Sequence, residues 1–162
     1  MLTWVKMKKT YFLEDTLQSE TYHLLAIHTT LEDYQLAFEI NRLTGSQFKR
    51  TKKDIDLPQK NAFFARFKWI DNKTEQEYDF FTNKYLNVIQ NNDLKKNTLF
   101  EQPIVKEVYL IPELKTINFF IKTNNLDNLS LLKIKLKQLN SLIMVYTLPP
   151  LKTRNQLNLI FD

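Results

Sequence analysis

The sequence has no cysteine and only one glycine in 162 residues. Without thiols the chain forms neither disulfides nor thiolate metal sites, an absence that agrees with a reducing cytoplasm. Glycine ordinarily supplies roughly 7% of a protein. Phosphate-cradling loops need it, because a backbone approaches an anion closely only where no Cβ intervenes and φ can turn positive. A Walker loop and a Rossmann fingerprint are therefore excluded, as is the GXXG loop of KH-type RNA binders. No apolar run approaches the roughly 18 to 20 residues of a membrane-crossing helix. Residues 1–13 carry Lys6, Lys8 and Lys9 but lack the apolar stretch and cleavage site of a secretory signal. A cytoplasmic protein without membrane contact is the expectation.

What is present describes an ordinary folded chain. With 43% hydrophobic and 25% charged residues the composition is globular, not disordered. A chain of this length fits one domain and buries about two-thirds of its unfolded surface. Twelve Phe and seven Tyr supply bulky anchors for that core. Residues 1–81 hold 12 basic and 12 acidic side chains, and residues 82–162 hold 11 and 6, so the net +5 belongs to the second half. A pI near 9.3 admits an anionic partner such as RNA. Lysine-rich solvated faces produce the same balance without a ligand.

Periodicity gives the elements. Leu24-Leu25-Ala26-Ile27 is apolar on both faces of an extended strand, which predicts a central strand within residues 21–29. Thr29 and Thr30, each followed three residues later by an acid, predict the cap of a helix over residues 31–44. That helix buries Leu36, Ala37, Ile40 and Leu43, with Tyr34 and Phe38 at its flank. Gly45 stands where a left-handed residue ends a helix. Residues 62–70 and 76–85 read as strands joined by the turn Asp71-Asn72-Lys73. Residues 104–112 and 116–123 read as a second hairpin, with Val105, Val108, Leu110, Phe119 and Ile121 in the core. Residues 132–137 also alternate like a strand, but caps at Asp127 and Asn128 and the spacing of Leu129, Leu132, Leu136 and Leu139 decide for a helix. A strand over residues 141–147 closes the domain, ended by Pro149-Pro150. Residues 157–161 form a short edge strand or fray. The expected fold is α+β: a single two-layer domain over residues 1–162, with a mostly antiparallel sheet and two helices on one face. Residues 1–15 and 152–162 are peripheral or frayed, and the layout resembles a ferredoxin-like one with an inserted hairpin.

The most distinctive stretch is Ile111-Pro112-Glu113 followed, after three residues, by Ile117-Asn118-Phe119. It resembles the signature of the IPExxxVDY family, small proteins of Bacteroidota-type bacteria with no assigned role. Ile117, Asn118 and Phe119 stand where that signature has Val, Asp and Tyr, so a neutral amide replaces a carboxylate. The residues Ile27-His28-Thr29-Thr30-Leu31-Glu32-Asp33-Tyr34 and the basic run at 49–53 share the likeness. The resemblance implies a cytoplasmic bacterial protein and brings no catalytic residues with it.

Individual candidates for chemistry are few. His23 and His28, the only histidines, lie five apart on a strand and point to opposite faces, so they cannot chelate one ion together. No serine has a nucleophile motif around it. Glu32, Asp33 and Glu39 are a carboxylate set, but the first two suit the positive end of a helix. Glu113, after the rigid Pro112, reads as the acceptor that locks a bend or as a contact residue. Lys49, Arg50, Lys52 and Lys53 form the densest basic cluster, with Phe48, Phe63, Phe64 and Trp69 nearby to stack bases if exposed. Lys133, Lys135 and Lys137 form a second. No catalytic residue, metal or cofactor is expected. The leading expectation is a non-enzymatic protein-binding or adaptor domain using a sheet edge or aromatic patch. An RNA-associated protein comes second and a small-molecule enzyme third.

Overall fold

The computed structural model describes residues 21–89 and 103–149, together with Leu159 and Phe161. Ten strands and two helices follow one another along them. β1 (His23–Thr29) leads into α1 (Asp33–Thr44), then β2 (Lys49–Arg50), β3 (Ile55–Leu57), β4 (Ala62–Phe64), β5 (Arg66–Asp71) and β6 (Gln76–Thr82). After these come β7 (Lys84–Ile89), β8 (Ile104–Tyr109), β9 (Phe119–Thr123), α2 (Leu126–Leu136) and β10 (Leu142–Thr147). Six strands make an antiparallel sheet in the order β10-β1-β9-β6-β5-β2. The units β1-α1-β6 and β9-α2-β10 interleave, giving their four strands the 4-1-3-2 order of a ferredoxin-like layout.

Burial explains why β1 is apolar without interruption. Leu25 and Ile27 face the helical side, where Phe80 and Ile121 of the sheet meet Leu36 and Ile40 of α1 and Leu129, Leu132 and Leu136 of α2. Leu24 and Ala26 face the other side with Phe81 and Phe120. Both helices therefore cover one face of a mostly antiparallel sheet. The opposite face carries a second core, closed by the ribbons β3–β4 and β7–β8 and by Ile111 and Ile117.

Both helices form where the apolar spacing puts them, but their caps differ from expectation. α1 begins at Asp33 rather than residue 31, with Glu32 at its cap and Gln35 Oε1 accepting the Glu32 N–H at 3.0 Å. Thr29 is occupied elsewhere: its hydroxyl donates to the Ser141 carbonyl and accepts from the Leu31 N–H. Gly45 ends α1 at φ 74°, left-handed as its position requires, and donates its N–H to Asn41 O. α2 is a helix, and its cap is Asn125, whose side chain accepts the Asn128 N–H, not Asp127 or Asn128. Buried Leu129, Leu132 and Leu136 settle the contest with strand alternation.

The strand pairing corrects the second hairpin. β8 pairs with β7, not with β9, and β9 lies between β1 and β6. The predicted 76–85 strand ends at Thr82; Lys84 and Tyr85 belong to β7. Where a simple layout would join its second and third strands by a short hairpin, this chain projects the β7–β8 ribbon. Val105 is consequently half exposed instead of in the core, whereas Val108 and Leu110 at the ribbon's base are buried. The stretch 62–70 likewise breaks at Ala65, so that β4 pairs with β3 and β5 with β6. The turn after Asp71 forms as read, with Asp71 Oδ1 accepting the Lys73 N–H. Residues 1–15 and most of the tail lie outside the described residues. Leu159 and Phe161 pack against the second core, and Phe161 meets Phe81 edge to face.

Candidate functional site

The chain leaves the sheet at Asn83, which is fully buried. Its Oδ1 accepts the Ile111 N–H at 2.8 Å, and its Nδ2 donates to the carbonyls of Leu114 (2.9 Å) and Ile117 (3.0 Å). The backbone is engaged as well: Asn83 N–H donates to Asn118 O, and Asn83 O accepts the Leu110 N–H. One side chain thereby bonds three backbone groups at the root of a turn that make no sheet bonds of their own. That turn is the Ile111-Pro112-Glu113 motif. Ile111 is a core residue, Pro112 opens a single 3-10 turn over Pro112–Leu114, and Glu113 is exposed upon it. Proline suits that first position, where no N–H is required.

Asn118 ties the other half of the motif to β1. Its Oδ1 accepts the Thr29 N–H at 3.0 Å and lies 2.7 Å from His28 Nδ1. A backbone N–H can only donate, so the atom facing it is the amide oxygen, and His28 must carry its proton on Nδ1. The position requires an acceptor, which amide and carboxylate both provide. Ile117 and Phe119 flank it and are buried in opposite cores. Asn83 was not singled out from the sequence. It sits in an unremarkable Phe-Thr-Asn-Lys-Tyr stretch, and its side-chain partners lie 28 to 34 residues away.

Beside this root the ribbon and the start of α1 leave an open cleft of about 470 Å³. Thr29 to Asp33 line it from β1 and the helix cap, Lys84 to Leu86 from the ribbon, and Asn118 and Phe119 from the motif. Asp54 and Phe63 line it from the β3–β4 arm. A second, apolar groove, lined by Leu31, Tyr34, Gln35, Phe38 and Glu39, shares Leu31 with the first. Tyr34 and Phe38, each 64% exposed, are one helical turn apart and therefore adjacent. Phe63 and Leu86 are also exposed.

The cleft's charges are unequal. Asp54 pairs with Arg50, and Lys84 pairs with Glu107 of β8. That hydrogen bond holds the Lys84 ammonium above its ordinary pKa, and the same contact, aided by the Tyr109 hydroxyl, holds the Glu107 carboxyl below its own. Among the described residues Glu32 and Asp33 have no ion pair. Glu39 does not join them, being bonded to Arg42.

The remaining candidates are dispersed. Lys49 and Arg50 form the two-residue edge strand β2, followed by exposed Lys52 and Lys53. Arg50 is committed: it pairs with Asp54, donates to Arg66 O and lies over the Phe67 ring. Phe48 and Phe64 are buried in different cores, and Trp69 stacks on Tyr78 at 4.6 Å, leaving Phe63 as the exposed ring of that group. Lys133, Lys135 and Lys137 lie on the last turn and cap of α2. His23 stands opposite Thr123 and His28 contacts Asn118, so the histidines share no site. Among the described residues no three metal-ligating side chains converge, and no helix is long and apolar enough to cross a membrane.

Set against protein-family models, curated proteins and solved structures, the chain gives no match.

Proposed function

We propose that this chain is a non-enzymatic binding domain that holds a segment of another protein in the groove passing over Leu31. The observation that carries this reading is the shared lining of the two clefts at Leu31, with Tyr34 and Phe38 exposed along one of them. Large aromatic side chains left in water on a helix surface gain about 1.5 to 3 kcal/mol each when fully covered. Residues of this kind anchor protein interfaces. Glu32 and Asp33, which cap the helix start and have no ion pair among the described residues, define the occupant further: apolar anchors over Leu31, Tyr34 and Phe38, with a cationic side chain beside the two carboxylates. Of the motif residues, Asn118 and Phe119 line the cleft, and the others shape the turn beside it.

The test is affinity capture of the tagged protein from its own host after nuclease treatment. Wild type and a Lys49→Ala/Lys52→Ala/Lys53→Ala variant should retain the same protein partner, and Phe38→Ser should lose it. Retention by Phe38→Ser, or loss from wild type on nuclease treatment, would overturn the reading; the latter outcome would favour RNA bound through the basic cluster.

A further inference from the structure

The described residues leave one side of β10 unpaired. β10 bonds to β1 on its inner side and forms the edge of the six-stranded sheet. Leu148 donates its N–H to Leu24 O at 2.9 Å, which fixes the alternation: Met144, Tyr146 and Leu148 turn their backbone groups toward β1, and Val145 and Thr147 turn theirs outward. The outward run has definite limits. At one end the register slips opposite His28 and Thr29, making Ile143 a bulged residue, and at the other stands Pro149, which has no N–H.

Soluble proteins ordinarily guard such an edge with lysines or inward-pointing charge. This strand reads Leu-Ile-Met-Val-Tyr-Thr, and residues 138–151 carry no charge at all. Ile143 is 61% and Met144 50% exposed. An uncharged edge matters in a chain of net charge +5, because it is a line along which two copies approach without like charges meeting.

We infer that β10 pairs with β10 of a second copy of this chain, antiparallel about a two-fold axis through Tyr146. In that register Val145 of one copy faces Thr147 of the other, and the reverse. Each such pair exchanges two backbone hydrogen bonds, which uses the regular outward donors and acceptors completely. Bulge and proline then fall opposite each other and end the ladder on both sides. Tyr146 meets its symmetry mate as a non-hydrogen-bonded pair, and exposed Met144 comes to lie against Leu148 of the other copy. The two sheets become one continuous sheet. The groove over Leu31 lies outside this contact, so the dimer presents two grooves, and the inference does not depend on what fills them.

Sedimentation of the purified full chain over a concentration series, with two variants, tests this. Wild type should sediment as a dimer that dissociates on dilution. Met144→Lys places an edge lysine at an exposed position and should raise the dissociation constant by about tenfold or more, with an unchanged circular-dichroism spectrum. Tyr146→Cys should crosslink on air oxidation, because non-hydrogen-bonded partners lie about 4.5 Å apart at Cα, within disulfide reach, and the chain has no competing cysteine. A monomer at every concentration, a dimer indifferent to Met144→Lys, or a folded Tyr146→Cys variant that stays uncrosslinked would each overturn the inference. The first is also what an edge reserved for another protein's strand would give.

Discussion

Asn83 uses both ends of its amide and both backbone groups to hold a turn whose partners are distant in sequence. Replacing it by alanine takes the partner from the buried Ile111 N–H and the Ile117 carbonyl, while the Leu114 carbonyl keeps the Ile117 N–H, and a single such group costs about 1 to 3 kcal/mol. Asn83→Ala should therefore lose about 3 kcal/mol, read as a lower midpoint in urea unfolding, with faster hydrogen exchange at the Ile111 amide. A second buried polar contact makes the opposite kind of test. Arg66 donates through Nε to Asp79 Oδ1 at 2.8 Å, and both side chains are about nine-tenths buried. Arg66→Met removes the ion pair and hydrogen bond of the buried Asp79 carboxylate and should cost about 3 kcal/mol. Arg66→Met with Asp79→Leu should recover most of that loss, because burying two apolar groups avoids the desolvation of two ions. Residues of this class were the hardest to read from sequence. The motif Ile111-Pro112-Glu113 is distinctive in the sequence, but its support, Asn83, has no local signature, since an asparagine that satisfies remote backbone groups looks like any loop asparagine.

Elements were more legible where their reasons are local. The 3.6-residue spacing of Leu36, Ile40 and Leu43 and the lone Gly45 fixed α1, and the doubly buried run of β1 gave its central place. Gly45 supports a prediction of its own. A Cβ added there would meet nothing within 4 Å, so Gly45→Ala carries only the left-handed strain of φ 74°. Thermal unfolding should show a loss of about 1 kcal/mol, and Gly45→Asn should lose less. Pairing was less legible because it depends on where the chain leaves the sheet. Residues 104–112 and 116–123 alternate well enough for a hairpin, but the turn at Pro112–Leu114 sits on Asn83, sending β8 to β7 and β9 into the sheet. At the ribbon's base the Lys84–Glu107 pair has a definite pH signature. The depressed Glu107 carboxyl contributes stability that is present above the unfolded carboxylate value and lost as pH falls through its lower folded value. The raised Lys84 ammonium contributes below the unfolded lysine value and loses it as pH rises through its higher folded value. Glu107→Gln should therefore lower stability slightly across neutral pH, converge with wild type in acid, and lose its effect in high salt, as measured by melting at each condition.

The whole molecule combines a compact double core with surfaces that its sequence does not arrange visibly. Composition alone was enough to exclude glycine-dependent phosphate loops and thiolate sites, and the α+β architecture followed from the order of elements. The joined groove was not legible, because Phe63 and Leu86 are remote in sequence from Leu31 and come beside it only when the ribbon root is in place, although Leu31, Tyr34 and Phe38 are local neighbours. Tyr34 and Phe38 read from the sequence as flanking residues of a core helix, and their exposure became apparent only in the fold. The proposal that this surface receives a protein segment is tested most directly by placing a photocrosslinking amino acid at position 38 or 86 in the living host, with exposed position 70 on β5 as the control. One protein adduct, the same from positions 38 and 86, absent from position 70 and insensitive to nuclease, is the expected result. Adducts formed equally from all three positions, none from 38 and 86, or adducts to RNA alone would contradict it.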